Sequence, residues 1–352
     1  MFGLNWKKGN FALVKIASDP LNKKDLKGIV GSLPKTTIGI VMIILLIQCA
    51  GPEPGIEEAV LNTPISLQVT RFDLDFGASA PEDLPRLKAD YPYLFPQQFP
   101  DSVWISTMSD TLQRQLREEV RKSFSDFRPY EMELELYFKH VAYYFPQAPI
   151  PGVLTVTSNV DYKNRVILTD SLLLIGLDNY LGPDHPFYEG LPNVVSKELD
   201  PAFMVSDVAG AFNQKSVPPP GDRSFIAQMV YYGKGLYLKD RMMPLAADSV
   251  KIKYSASELE WAKANENQVW RYFIERELLY STDKKLGPRF LDTAPFSKFG
   301  LLLDNESPGR IGQYMGWQIV RAFMEKKELE LSELLAFPEE ELFRESNYKP
   351  QK

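Results

Sequence analysis

The chain has 352 residues, with 40 lysines and arginines against 46 aspartates and glutamates, a net charge of −6 and a single cysteine. That balance argues against nucleic acid as a partner, because phosphate binding needs a concentrated basic face, and one cysteine leaves no internal disulfide framework. With 44% hydrophobic and 12% aromatic residues, the composition excludes disorder for most of the chain.

The first element in chain order is an apolar run from Thr37 to Gln48 that ends at Cys49. About ten apolar residues are too few for a helix to cross a hydrocarbon core of about 30 Å, but suit the h-region of a secretory signal. Lys23, Lys24, Lys27 and Lys35 supply the positive flank, and Pro52 and Pro54 stop any helix downstream. Leu46, Ile47, Gln48 and Cys49 resemble the bacterial lipobox, with Gln48 where small residues are usual. In a lipobox the cysteine sulfur is needed as a soft nucleophile that forms a thioether with a diacylglyceryl group. Other readings of the run are an uncleaved N-terminal anchor and a buried strand. Removing residues 1–48, with seven lysines and two aspartates, takes the charge from −6 to about −11.

The expected organisation is a leader and signal peptide over 1–48, with its h-region at 37–48, a lipidated tether over 49–64, and one globular domain over 65–352. Ile65 to Phe76 alternates apolar with polar and predicts a first strand. Tyr91 to Pro100 predicts an ordered loop held by its rings. Asp110 predicts the cap of a helix through Phe124, with Leu112, Leu116 and Val120 inside and Arg114, Arg117, Glu118 and Arg121 in water. A second helix is predicted over Pro129 to Phe145. Gly152 to Ser158 and Arg165 to Leu177 predict a pair of strands at the sheet's buried centre, joined by a turn at Asn159 to Asn164.

A polar and aromatic loop follows from Asp178 to Tyr188, a place where function is often carried. Asp200 with Pro201 predicts a helix start, and Pro218 to Gly221 breaks the chain before a long helix over Asp222 to Met243. Ser257 and Glu260 have capping-box spacing ahead of a helix predicted to run to Tyr280. Ser307 and Pro308 open a helix over Gly309 to Lys327, in which Gly312 and Gly316 share one face; glycine costs about 1 kcal/mol inside a helix, so a second backbone is expected against that face. Pro338 with three glutamates starts a last short helix. Helices around a small sheet, without regular strand and helix alternation, mean a mostly helical α+β single domain.

Catalytic residues are scarce. The two histidines are His140, in a helical stretch, and His185, which shares its loop with Asp178 and Asp184 and could hold a metal with them. No HExxH or G-x-S-x-G occurs, and Gly233, Lys234 and Gly235 lack P-loop spacing. No cofactor is expected.

Four stretches together resemble the gliding-motility lipoprotein GldB family of Bacteroidetes: Val69-Thr70-Arg71-Phe72-Asp73, Ile175 to Gly182, Met229 to Tyr237, and Ser307 to Gly312 leading into Gly316 to Val320. The resemblance implies a lipid-anchored envelope protein of the gliding and type IX secretion machinery, facing the periplasm, with other envelope proteins as partners and no catalytic activity. The helix order is also distantly similar to gluzincin-like zinc-peptidase domains, here a degenerate zincin-like fold without metal. The expected interaction surface joins Asp178, Tyr180, Asp184, His185 and Tyr188 to Tyr232 and Lys234, as exposed aromatics beside charges. The alternatives are a lipid-anchored metal-dependent hydrolase with its site at Asp178, Asp184 and His185, and a ligand-binding lipoprotein.

Overall fold

The computed structural model describes residues 57–301 and 304–350. The expected leader, Cys49 and the tether as far as residue 56 lie outside the described residues. Over the rest of the expected tether most residues are exposed, but helix α1 (Glu58–Leu61) buries Val60 and lies beside the long helix over Arg128–Tyr144.

The predicted first strand is a strand only at β1 (Val69–Thr70); helix α2 (Phe72–Ala78) takes up its second half. Phe72 and Phe76 stand four residues apart and are both buried, which is the spacing of a helical face. Two helices that the sequence reading did not distinguish follow, α3 (Leu84–Asp90) and α4 (Asp101–Ser109). Between them the Tyr91–Pro100 segment is held as expected by rings. Tyr91 meets Phe72 and Phe95 meets Trp104, both edge to face at 4.9 Å.

Helix α5 (Thr111–Ser123) starts where Asp110 accepts the amide N–H of Gln113 at 2.8 Å. Leu116 and Val120 face inward, but Leu112 is exposed and Arg117 is buried rather than solvated. The Arg117 guanidinium donates to the carbonyls of Thr107 and Met108 and lies over the Phe76 ring. Helix α6 (Arg128–Tyr144) matches the second predicted helix.

The sheet adds β2 (Gly152–Val156), β3 (Val166–Leu168) and β4 (Leu172–Gly176), in the order β1-β2-β4-β3. The segment expected as one strand, Arg165 to Leu177, is a tight hairpin, because Thr169, Asp170 and Ser171 interrupt its apolar run. Consequently β2 pairs with β4 in parallel, Val153 opposite Leu173 and Thr155 opposite Ile175, and β3 is an antiparallel edge. Val153, Leu173 and Ile175 point into the main helical core, whereas Leu154, Leu172 and Leu174 face a smaller cluster of Phe72, Phe76, Leu84, Leu87, Phe95 and Met108. Apolar cover on both faces is why these strands read as continuous hydrophobic runs.

Beyond the sheet come α7 (Asn193–Ser196), α8 (Met204–Ser216) and α9 (Phe225–Met242). Asp200 accepts from Ala202 N–H ahead of α8, and Ser224 caps α9. Then follow α10 (Asp248–Ile252), α11 (Ala256–Ala264) and α12 (Glu266–Glu275). The capping box is formed by Ser255 and Glu258, two residues earlier than predicted, and the helix breaks at Asn265 and stops at Glu275 instead of reaching Tyr280. Leu279 and Ser281 instead give their carbonyls to the first amides of α9.

Helices α13 (Ile311–Met324), α14 (Leu331–Ala336) and α15 (Glu339–Ser346) complete the domain. The face carrying Gly312 and Gly316 meets other backbones: a Cβ on Gly316 would overlap the Met229 carbonyl of α9, and one on Gly233 would overlap Gly316. The architecture is a mostly helical α+β domain around a small mixed sheet.

Candidate functional site

Helix α8 crosses the large core with an acidic residue among its inward positions. Val205 and Val208 are buried, and the Asp207 side chain between them is only 10% exposed. A buried carboxylate must be matched by charge and hydrogen bonds, and Asp207 is matched from three directions. Arg165, at the start of β3, approaches with Nε at 2.6 Å and Nη2 at 3.1 Å. Lys253 Nζ lies at 2.8 Å and the Tyr180 hydroxyl donates at 3.0 Å.

Glu198 extends the cluster. It pairs with Lys253 Nζ at 2.7 Å, with Arg310 Nη1 at 2.9 Å and with Arg165 Nη2 at 3.3 Å. Lys253 and Arg310 both hold left-handed backbone conformations, at φ of 57° and 58°, which cost non-glycine residues about 1–2 kcal/mol each. Strain of this sort persists only where the surroundings over-determine it, and here the pairs with Glu198 do so. Burial pushes both carboxyls up, but the cations outweigh it. Lys253 and Arg165 hold Asp207 well below the usual carboxylate range, and Arg310, Lys253 and Arg165 hold Glu198 at about 2.

Lys239 of α9 is a second lysine at this centre and is 7% exposed. Its ammonium donates to Ser206 Oγ at 2.8 Å and to the Lys251 carbonyl at 3.0 Å, and among the described residues it has no ion pair. Burial, with Lys253 close by, pushes it down to about 7. The Lys251 side chain continues the network to Asp240, which also accepts Trp317 Nε1 and Arg321. Polar contact therefore runs unbroken from β3 through α8, α9 and α10 to α13.

Over this network lies a cavity of about 670 Å³. One wall is Tyr162 to Leu168 with the edge strand β3, the opposite wall is Gly210, Ala211 and Gln214 of α8, and the floor holds Arg165, Asp207, Lys239 and Lys253. A second cavity of about 190 Å³ shares Gly210, Gln214 and Lys239 with it and continues past Asn213, Tyr231 and Tyr232. The two make one groove along α8.

Because Glu198 and Asp207 titrate below their ordinary values, their contribution to stability is complete above about pH 5 and is lost as pH falls toward 2. The thermal midpoint is expected to be level from pH 5 to 7 and to drop steadily below. Glu198→Gln should flatten that drop; a variant with the wild-type acid slope would show that the network does not set it.

The residues expected to form an interaction surface are mostly internal. Asp178 is fully buried and accepts the amides of Ser158 (2.9 Å) and Val160 (2.6 Å), which holds the turn in which Asn159 and Val160 have positive φ. Burial pushes the Asp178 carboxyl up against the pull of these amides. The Tyr188 hydroxyl donates to the Asp178 carbonyl at 2.7 Å and accepts from Leu181 N–H, closing the loop on itself. Tyr180 points inward to Asp207. Lys234 is buried, and its ammonium gathers the Leu335 and Phe337 carbonyls and Glu339 between α14 and α15.

Asp184 is exposed, and His185 faces Glu119 at 3.6 Å and stacks on Phe187. Asp178, Asp184 and His185 are therefore not brought together, and among the described residues no three His, Cys, Asp or Glu side chains group to hold a metal ion. Only Tyr232, half-buried, lines the groove. His140, the other histidine, is buried in α6 against the Leu136 carbonyl.

Sequence reading missed the network because Arg165, Glu198, Asp207, Lys253 and Arg310 share no local spacing. The one available signal was a charge at an inward position of a helix with an apolar face, Asp207 on α8 and Lys239 on α9. No helix among the described residues is long and apolar enough to cross a membrane. A family model described as gliding motility protein GldB matches residues 54–350. No curated protein and no solved structure matches the chain, and the gluzincin-like resemblance gains no support from these comparisons.

Proposed function

Since the chain belongs to the GldB family of gliding motility proteins, we propose that it is a lipid-anchored part of the gliding machinery in the cell envelope, held at the periplasmic side of a membrane through Cys49 and acting by protein contact. The observation that carries this reading is the family match, which begins at residue 54, just after the lipobox-like stretch ending at Cys49. A diacylated cysteine with a further acyl chain supplies several alkyl chains, and roughly 0.8 kcal/mol for each buried methylene makes such an anchor stable. Support for type IX secretion comes from the same kinship.

The test is a deletion strain of a gliding bacterium carrying this gene, complemented with wild type or Cys49→Ser. Wild type is expected to take up a fatty-acid probe and restore both gliding and export of secreted adhesins, and Cys49→Ser to do none of these. A wild-type protein without label, or a variant labelled as strongly, would sink the anchor; gliding and export unaffected by the deletion would sink the role.

A further inference from the structure

Strand β3 ends the sheet, and among the described residues nothing pairs with its outer side. Its register decides what that side offers. The Arg165 carbonyl accepts from Gly176 N–H at 2.8 Å, and Thr169 N–H donates to the Leu172 carbonyl at 2.8 Å, so odd-numbered residues bond to β4. In an antiparallel pair the alternate residues turn the other way. The N–H and C=O groups of Val166 and Leu168 thus face the open side, along the wall of the 670 Å³ cavity.

An unpaired edge is a template for another strand, and adding a peptide there is a standard mode of recognition. The charge on the groove's walls and floor says which peptide. Lys163, Arg165, Lys215, Lys239 and Lys253 line it. Arg165 and Lys253 are matched by Asp207 and Glu198, and Lys215 by Asp170, which leaves Lys163 and Lys239 as the cations without an ion pair among the described residues, in a protein that as a whole is acidic. Among the described residues Lys239 has no direct ion pair, with Asp207 and Glu198 acting on it only from a distance, and its ammonium uses two of its three protons on Ser206 and Lys251. Further along, Asn213 Oδ1 is buried and accepts no hydrogen bond among the described residues.

We propose that this groove binds an extended segment of a partner protein as an added strand on β3, with an acidic side chain of that segment turned to the cationic floor at Lys239. The proposal rests on the protein-contact reading above and gives that contact a place and a chemistry. Gly210 provides a clean block: it lies in the α8 wall, and a Cβ there meets nothing within 4 Å.

Random octapeptides displayed on phage would be selected against the full chain purified from membranes in detergent. Expected winners alternate β-branched residues with at least one Asp or Glu. Gly210→Leu should abolish the selection while melting at or above the wild-type temperature, and Lys239→Met should weaken the best synthetic peptide about tenfold. No enrichment, enrichment of basic peptides, or equal enrichment on folded Gly210→Leu would overturn the proposal. If Gly210→Leu does not fold, the Lys239→Met titration decides, unchanged affinity counting against it. Failure of the selection while gliding still depends on Cys49 removes the groove and leaves the envelope role standing; the converse result does the reverse.

Discussion

Asp207→Asn is expected to destabilise the domain by roughly 3–5 kcal/mol, the usual cost of breaking a buried ion pair from one side. The substituted amide keeps the shape and can still accept from Tyr180, so the loss is electrostatic. Arg165 and Lys253 are then left sharing Glu198, with Arg310 already on its other oxygen. Three cations held in the interior against one carboxylate repel one another and lack the water that would otherwise solvate them. Denaturant melts of wild type and variant measure the change, and a loss under about 1 kcal/mol would mean that water reaches this cluster freely. Adding Lys253→Met to Asp207→Asn should recover part of the loss, since contacting sites do not add independently. If the two losses simply summed, the pair would not be coupled.

Gly316→Ala should be as damaging, and here the sign alone is informative. Helix propensity favours alanine over glycine by about 1 kcal/mol, so a free helix face would gain stability. In α13 the new methyl meets the Met229 carbonyl, which belongs to the backbone of α9 and cannot rotate away as a side chain would. The two helices must separate along their whole contact, opening voids beside Phe225, Met229 and Trp317. A loss of at least about 3 kcal/mol is expected, at the upper end for overpacked cores. Gly210→Ala is the control, because its added methyl meets open space and should stabilise by about 0.5–1 kcal/mol. Equal effects from the two alanines would remove the close-packing argument.

What the sequence revealed and what it hid divide along a physical line. Signals that act over a few residues were readable: the caps at Asp110 and Asp200, the break after Ser216, Pro338 before α15, and the pair of glycines in α13. Even there, periodicity misled at Ile65 to Phe76, where an alternating start passes into a helical repeat at Phe72 and Phe76. Features made by distant segments were hidden. The Asp178 to Tyr188 loop looks solvated because it is polar, yet its carboxylate and hydroxyl are spent on the chain's own amides and carbonyls. Turning β3 into an edge depended on a short turn at Thr169 to Ser171 that reverses the pairing. Of the expected surface, Tyr232 borders the groove, whereas Tyr180 supports its floor from the interior through Asp207.

The scatter of the charged cluster along the chain also has a kinetic side. Arg165, Glu198, Asp207, Lys253 and Arg310 meet only when β3, α8 and the ends of α10 and α13 have docked. Such long-range contacts close late, so weakening them leaves the folding barrier little changed and shortens the lifetime of the native state instead. The persistence of the folded domain would then depend on how slowly this ionic lock opens.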